Sequence, residues 1–171
     1  MKKLGAFDIP FAGLSLGSHQ YDFELDETFF KEFDNDSING GNLKVVLEFE
    51  KGESIFTFRF RIKGILITKC DRCLNDLELN IAEEKEMLVK FDSDLDDKEI
   101  DDIIVINRNE HVINVSQHIY DFVTLSLPMR SVHEEGKCDP EVDNFLSKES
   151  GIEEQEVDPR WEKLKGIVSD K

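Results

Sequence analysis

Cys70 and Cys73 stand two residues apart in the stretch Ile67-Thr68-Lys69-Cys70-Asp71-Arg72-Cys73-Leu74, at the end of the most strand-like run in the chain. On a turn, that spacing lets two sulfurs face one metal ion, and the thiolate is a soft ligand that suits zinc. Two ligands make half a site. His133-Glu134-Glu135-Gly136-Lys137-Cys138 offers an imidazole and a thiol for the other half, giving a Cys3His set of Cys70, Cys73, His133 and Cys138. The 59 residues between Cys73 and His133 exceed the gap of a compact zinc finger, so a sheet and a helix must bring the halves together.

Two other readings of these residues stay open. Cys70 and Cys73 can be reduced thiols ending a strand, with Cys138 in a loop. Cys-x2-Cys is also the spacing of thiol oxidoreductases, but there the pair opens a helix whose dipole lowers the first thiol's pKa. Here it ends a strand. Other catalytic chemistries find little support. Ser18, Ser116 and Ser131, which stand near histidines in the sequence, lie in no Gly-x-Ser-x-Gly elbow. Gly40-Gly41 is not followed by the Lys-Ser/Thr of a phosphate-binding loop. His19, His111 and His118 have no motif around them. The expectation is a non-enzymatic protein without a small-molecule substrate.

With 171 residues the chain fits one domain that buries a real core. Its 38 acidic and 21 basic residues give a formal charge of −17, which opposes indiscriminate binding to nucleic-acid backbones. Such a surface is either simply solvated or docks onto a basic protein, and charge alone does not choose. One strip runs against the trend. Arg59, Arg61 and Lys63 share a strand face leading toward Lys69 and Arg72. They are either paired with acids on the next strand, with Glu48 and Glu50 as candidates, or form a small platform for phosphates or a partner. The first residues, Met1 to Asp8, carry two lysines without a following apolar run, unlike a signal peptide. No stretch approaches the roughly 20 apolar residues of a membrane span. Three cysteines without a secretion signal fit a reducing cytoplasm.

The elements that must position the cysteines are legible from periodicity. Residues 9–17 read as an opening strand followed by a glycine-punctuated loop. Residues 19–25 alternate as a half-buried strand, with Tyr21, Phe23 and Leu25 on one side. Asp26 is placed to cap a short helix carrying Phe29, Phe30 and Phe33, and Asn39-Gly40-Gly41-Asn42 reads as a turn. Leu43 to Glu50 and Ser54 to Cys70 alternate as two antiparallel strands joined at Lys51-Gly52-Glu53, with Gly64 as a bulge or bend. Two further strands, around Leu77–Ile81 and Met87–Phe91, can be continuous. Asp92 to Asp102 holds seven carboxylates against one lysine and reads as a mobile loop. Residues 103–106 form a short buried strand. A helix begins at Asn114, with Val115, Ile119, Phe122, Val123 and Ser126 on one face, and Pro128 closes it. Residues 130–143 read as loop, and 144–157 as polar without a long pattern. Trp161, Leu164 and Ile167 suggest a small amphipathic turn.

Cys70-Asp71-Arg72-Cys73-Leu74, Leu127-Pro128, His133 with Cys138, and Asp158-Pro159-Arg160 with Leu164 together resemble the YceD family, and the resemblance spans most of the chain. It implies a role in accumulation of large-subunit ribosomal RNA or in ribosome assembly, not a known reaction. A zinc-ribbon protein of the large subunit or precursor ribosomal RNA is the implied partner. The long acidic stretch and Trp161 depart from the family pattern. The expected fold is a single α+β domain over residues 1–145, a mainly antiparallel sheet or partly closed barrel with two or three packed helices. Residues 146–171 follow as an acidic linker and tail. The expected cofactor is structural zinc. The competing functions are a zinc-stabilised interaction module unrelated to ribosomes and a thiol redox enzyme.

Overall fold

Long alternating runs dictate a sheet, and the computed structural model, which describes residues 3–33, 37–91, 103–107 and 109–150, builds one. A two-residue strand β1 (Asp8–Ile9) is followed by a 3-10 turn and then by β2 (Gly17–Leu25). The short helix α1 (Glu27–Phe30) follows. Its cap is the one expected: the Asp26 carboxylate accepts from the Thr28 and Phe29 amides, satisfying donors that the first helical turn leaves without partners. Those bonds hold the Asp26 carboxyl below its ordinary range. Next come β3 (Gly40–Lys51), β4 (Ile55–Lys69), β5 (Asp76–Phe91), β6 (Ile103–Ile106) and β7 (Ile113–Asn114), then α2 (Ser116–Leu125) and α3 (Pro140–Ser150).

The fold is α+β. Five strands lie in the order β2-β3-β4-β5-β6, antiparallel except for the parallel β5–β6 pair, and β1 with β7 makes a second, two-stranded sheet. The larger sheet is open, with β2 and β6 at its ends, so the barrel alternative is not taken. The chain falls into two compact units, residues 1–132 and 133–171. Both sheets, α1 and α2 belong to the first unit, and α3 to the second. No helix among the described residues is long and apolar enough to cross a membrane.

The core of the first unit is aromatic. Phe49, Phe58 and Phe60 are completely buried and Phe56 nearly so. Phe49 stacks on Phe58 at 4.5 Å and meets Phe56 edge-on at 5.6 Å, the offset and T-shaped arrangements that ring quadrupoles favour. Phe122 of α2 packs edge-on against Phe60 at 5.2 Å. Phe56, Phe58 and Phe60 occupy even positions of β4, and the same side continues through Ile62, Gly64, Leu66 and Thr68.

Several details differ from the sequence reading. Asn39–Asn42 is not a turn, because β3 already begins at Gly40. A Cβ on Gly41 would sit 2.7 Å from the Ile65 carbonyl oxygen, so glycine there serves close strand approach. Gly64 is not a bulge: it pairs in uninterrupted register with Leu43 and Ile81. The two runs read over residues 77–91, which the sequence allowed to be continuous, form one strand, β5. Its inward row is broken by Glu83 and Lys85, an ion pair of 3.3 Å with both side chains about a third exposed. The register with β6 covers only Leu88 to Phe91, and inward charges on such a strand discourage edge-to-edge aggregation. In β6 only Ile106 is buried. Residues 140–150, read as loop and patternless chain, form α3. Pro140 opens it, and the Asp139 carboxylate accepts from the Glu141 amide at 2.9 Å. The acidic segment 92–102, Asp158-Pro159-Arg160 and the suggested turn at Trp161, Leu164 and Ile167 lie outside the described residues.

Gly64 has φ +150°, and a Cβ there would fall 2.7 Å from the Leu43 Cα and closer still to the Asn42 carbonyl oxygen. Both obstacles are backbone, so neither can swing away. Gly64→Ala is therefore expected to destabilise the protein by about 3 kcal/mol or more. Nothing lies within 4 Å of a Cβ on Gly13, and Gly13→Ala should be neutral or gain up to about 1 kcal/mol. Urea midpoints of the two variants test the contrast, and equal effects would contradict the packing described.

Candidate metal centre

Because β4 alternates without a break, the residue after Lys69 returns to the buried side, and Cys70 is completely buried. Residues 70–75 then make the hairpin turn between β4 and β5, whose last pair is Lys69 with Asp76. The Leu74 amide donates to the Cys70 carbonyl at 2.9 Å, and the Cys70 amide donates to the Asn75 carbonyl at 2.8 Å. Inside this knuckle the Arg72 amide donates to Cys70 Sγ at 3.4 Å, a bond that favours a sulfur bearing negative charge. Cys73, 8% exposed, shares the turn.

Leu74 completes the knuckle in an unusual conformation. Its φ is +61°, the one positive value among the described non-glycine residues. That left-handed conformation costs an L-residue roughly 1–2 kcal/mol relative to glycine.

Asp71 ties the knuckle to the segment after α2. Its amide donates to the Ser131 carbonyl at 2.7 Å, and its carboxylate accepts from the Ser131 amide at 2.6 Å. Ser131 is buried. In the second unit, His133 and Cys138 are brought together by a tight turn. The Lys137 amide donates to the Glu134 carbonyl at 2.9 Å, and Gly136 takes φ +78°. The Lys137 ammonium lies 2.7 Å from the Glu134 carboxylate, holding that carboxyl below its usual range by hydrogen bond and charge. Cys138 Sγ lies 3.9 Å from His133 Nδ1, and Cys138 is buried.

One ligand atom from each of Cys70, Cys73, His133 and Cys138 falls within a group spanning at most 4.8 Å. Zinc bonds of about 2.0–2.3 Å at tetrahedral angles put ligand atoms roughly 3.4–3.8 Å apart. The group is thus within a small adjustment of a four-coordinate site. The three cysteines are not disulfide-bonded. The donor set, three sulfurs and one imidazole, suits zinc rather than magnesium or calcium, which prefer oxygen.

Two of the five basic residues are paired with glutamates. The Arg59 guanidinium donates to Glu86 at 2.8 Å and lies 3.7 Å from Glu50, and Arg61 pairs with Glu48. The Glu86 hydrogen bond and charge raise the pKa of Arg59 further. Lys63 faces Lys44 on one side and Ala82 on the other, Lys69 faces Asp76, and Arg72 is exposed on the knuckle.

The model of the family described as "Large ribosomal RNA subunit accumulation protein YceD" matches residues 58–168, well over half of the chain. The chain belongs to the YceD family. The matched segment begins inside β4 and contains all four residues of the cysteine–histidine group, while β1 to β3 precede it. No curated protein and no solved structure matches the chain.

Sequence reasoning picked out the four candidate ligands by residue type but missed the Asp71–Ser131 bracket and the conformation of Leu74. An aspartate inside a turn hints at side-chain bonding to nearby backbone. Nothing in the sequence marks Ser131 as its partner 60 residues away. Asp71→Ala removes the carboxylate bond and is expected to lower unfolding free energy by about 1–2 kcal/mol. A denaturant midpoint unchanged from wild type would show the bracket to be idle.

Proposed function

We propose that this chain is a non-enzymatic factor in large-subunit ribosomal RNA accumulation or ribosome assembly, held in working shape by one structural zinc ion at Cys70, Cys73, His133 and Cys138. The convergence of three sulfurs and an imidazole within 4.8 Å, in the segment that matches the family, supports the reading most directly. Four protein ligands leave no open position for substrate or water, which is the arrangement of a structural rather than a catalytic site. The Cys-x2-Cys pair lies in a hairpin turn and not at a helix N-terminus, so it lacks the dipole that activates redox cysteines.

The formal charge of −17 supports a basic large-subunit protein as the tighter partner, with precursor RNA as the weaker one. Ion pairing of Arg59 and Arg61 with neighbouring glutamates supports the same order, because a phosphate would have to displace a carboxylate already in place. The proposed setting is the cytoplasm, where thiols stay reduced and available to metal.

Protein purified without chelator is expected to carry about one zinc per chain. Cys70→Ser should lower both zinc content and melting temperature. Wild type is also expected to co-sediment with large-subunit precursors at low salt and to lose them as salt rises. Capture that survives nuclease and retains large-subunit proteins supports the protein contact. Capture abolished by nuclease, and equally by Arg59→Glu with Arg61→Glu, would move the contact to RNA. Recovery of no large-subunit material under any condition would overturn the assembly role.

A further inference from the structure

Leu74 carries two unfavourable features at once. It adopts φ +61°, where glycine would be at ease, and its side chain is 69% exposed. A leucine can be worth backbone strain when it fills a core, but here most of it faces solvent. Its exposure is not isolated. The Asp71–Ser131 hydrogen bonds hold a second segment against the knuckle, and that segment carries Met129, fully exposed, and Leu125, 75% exposed at the end of α2. Leu127, between them, packs against the core.

We propose that Leu74 is the apolar anchor of a docking surface at the knuckle, flanked by Met129, and that its occupant is a basic protein of the large subunit presenting an apolar pocket. This rests on the assembly role proposed above and names the contact through which it works. An aliphatic tip with no planar face selects protein over RNA, since bases are held by aromatic or guanidinium stacking and phosphates by cations. The charge of −17 selects a basic protein, with long-range attraction guiding the approach and the apolar tip supplying the short-range contact. Strain at the anchor is then a property of the binding surface rather than of the core. The zinc-ready turn fixes the backbone that presents it.

Leu74→Gly separates binding from folding, because it removes the anchor and relieves the strain together. Three quantities are to be measured on the full chain: zinc content, melting temperature, and the fraction co-sedimenting with nuclease-treated large-subunit precursor proteins at low salt. Leu74→Gly is expected to keep its zinc, to melt at the same or a higher temperature, and to lose at least tenfold in association. Zinc loss or a melting temperature lowered by several degrees would make Leu74 a structural residue and overturn the proposal. Unchanged stability with unchanged association would overturn it as well, while leaving the assembly role intact. If wild type itself recovers no large-subunit protein, the assembly role fails and the anchor with it. An equal loss by Leu74→Gly on protein-free ribosomal RNA would reject a protein occupant.

Discussion

One alternation along β4 sets the position of almost everything else. Phe56, Phe58, Phe60, Ile62, Leu66 and Thr68 lie on its buried side, with Gly64 among them, and Cys70 continues the same series. A slip of one residue in pairing would turn that whole row to solvent. Each large apolar side chain is worth roughly 1.5–3 kcal/mol when buried, so losing the three rings, Ile62 and Leu66 of this row would consume a stability of about 5–15 kcal/mol. The knuckle is therefore held in place by the core. Cys70 cannot change sides without undoing the sheet.

The turn beyond β4 depends on that anchoring and contributes constraints of its own. Backbone bonds across residues 70–75 close it, the Arg72 amide points at Cys70 Sγ, and the Asp71 carboxylate fastens Ser131. A hairpin already closed by these bonds needs little further ordering to present its two sulfurs, and such preorganisation favours metal capture. His133 and Cys138 show the same economy, since a glycine turn places the two side chains 3.9 Å apart. Meanwhile the outward face of the sheet pairs its arginines with glutamates, leaving the long-range field of the chain to its excess of acids.

How much of this could be read from the sequence depended on whether the signal was local. The Asp26 cap, the β3–β4 hairpin and the face of α2 follow from neighbouring residues, and the structure agrees with each. The unity of β5 was obscured because Glu83 and Lys85 interrupt its inward row, a compromise belonging to a sheet edge that sequence alone does not reveal. Gly41 stands in a stretch with turn chemistry, yet serves close approach of β3 to β4. The helix α3 was missed although Asp139-Pro140-Glu141 is a legible start, because its apolar content is too sparse for a clear 3.6-residue period. The four candidate ligands were legible because few side chains offer sulfur or imidazole. Asp71–Ser131 was not, since hydrogen-bonding partners distant in sequence leave no pattern.

The proposed zinc site requires Cys70, Cys73, His133 and Cys138 to close on one ion. X-ray absorption at the zinc edge, on protein purified without added metal or chelator, tests it most directly. The expected first shell is three sulfurs at about 2.3 Å and one nitrogen at about 2.0–2.1 Å. His133→Ala is expected to replace the nitrogen contribution while leaving the sulfurs. A shell of oxygen or nitrogen alone, or protein that folds fully without zinc and takes up none when it is supplied, would contradict it.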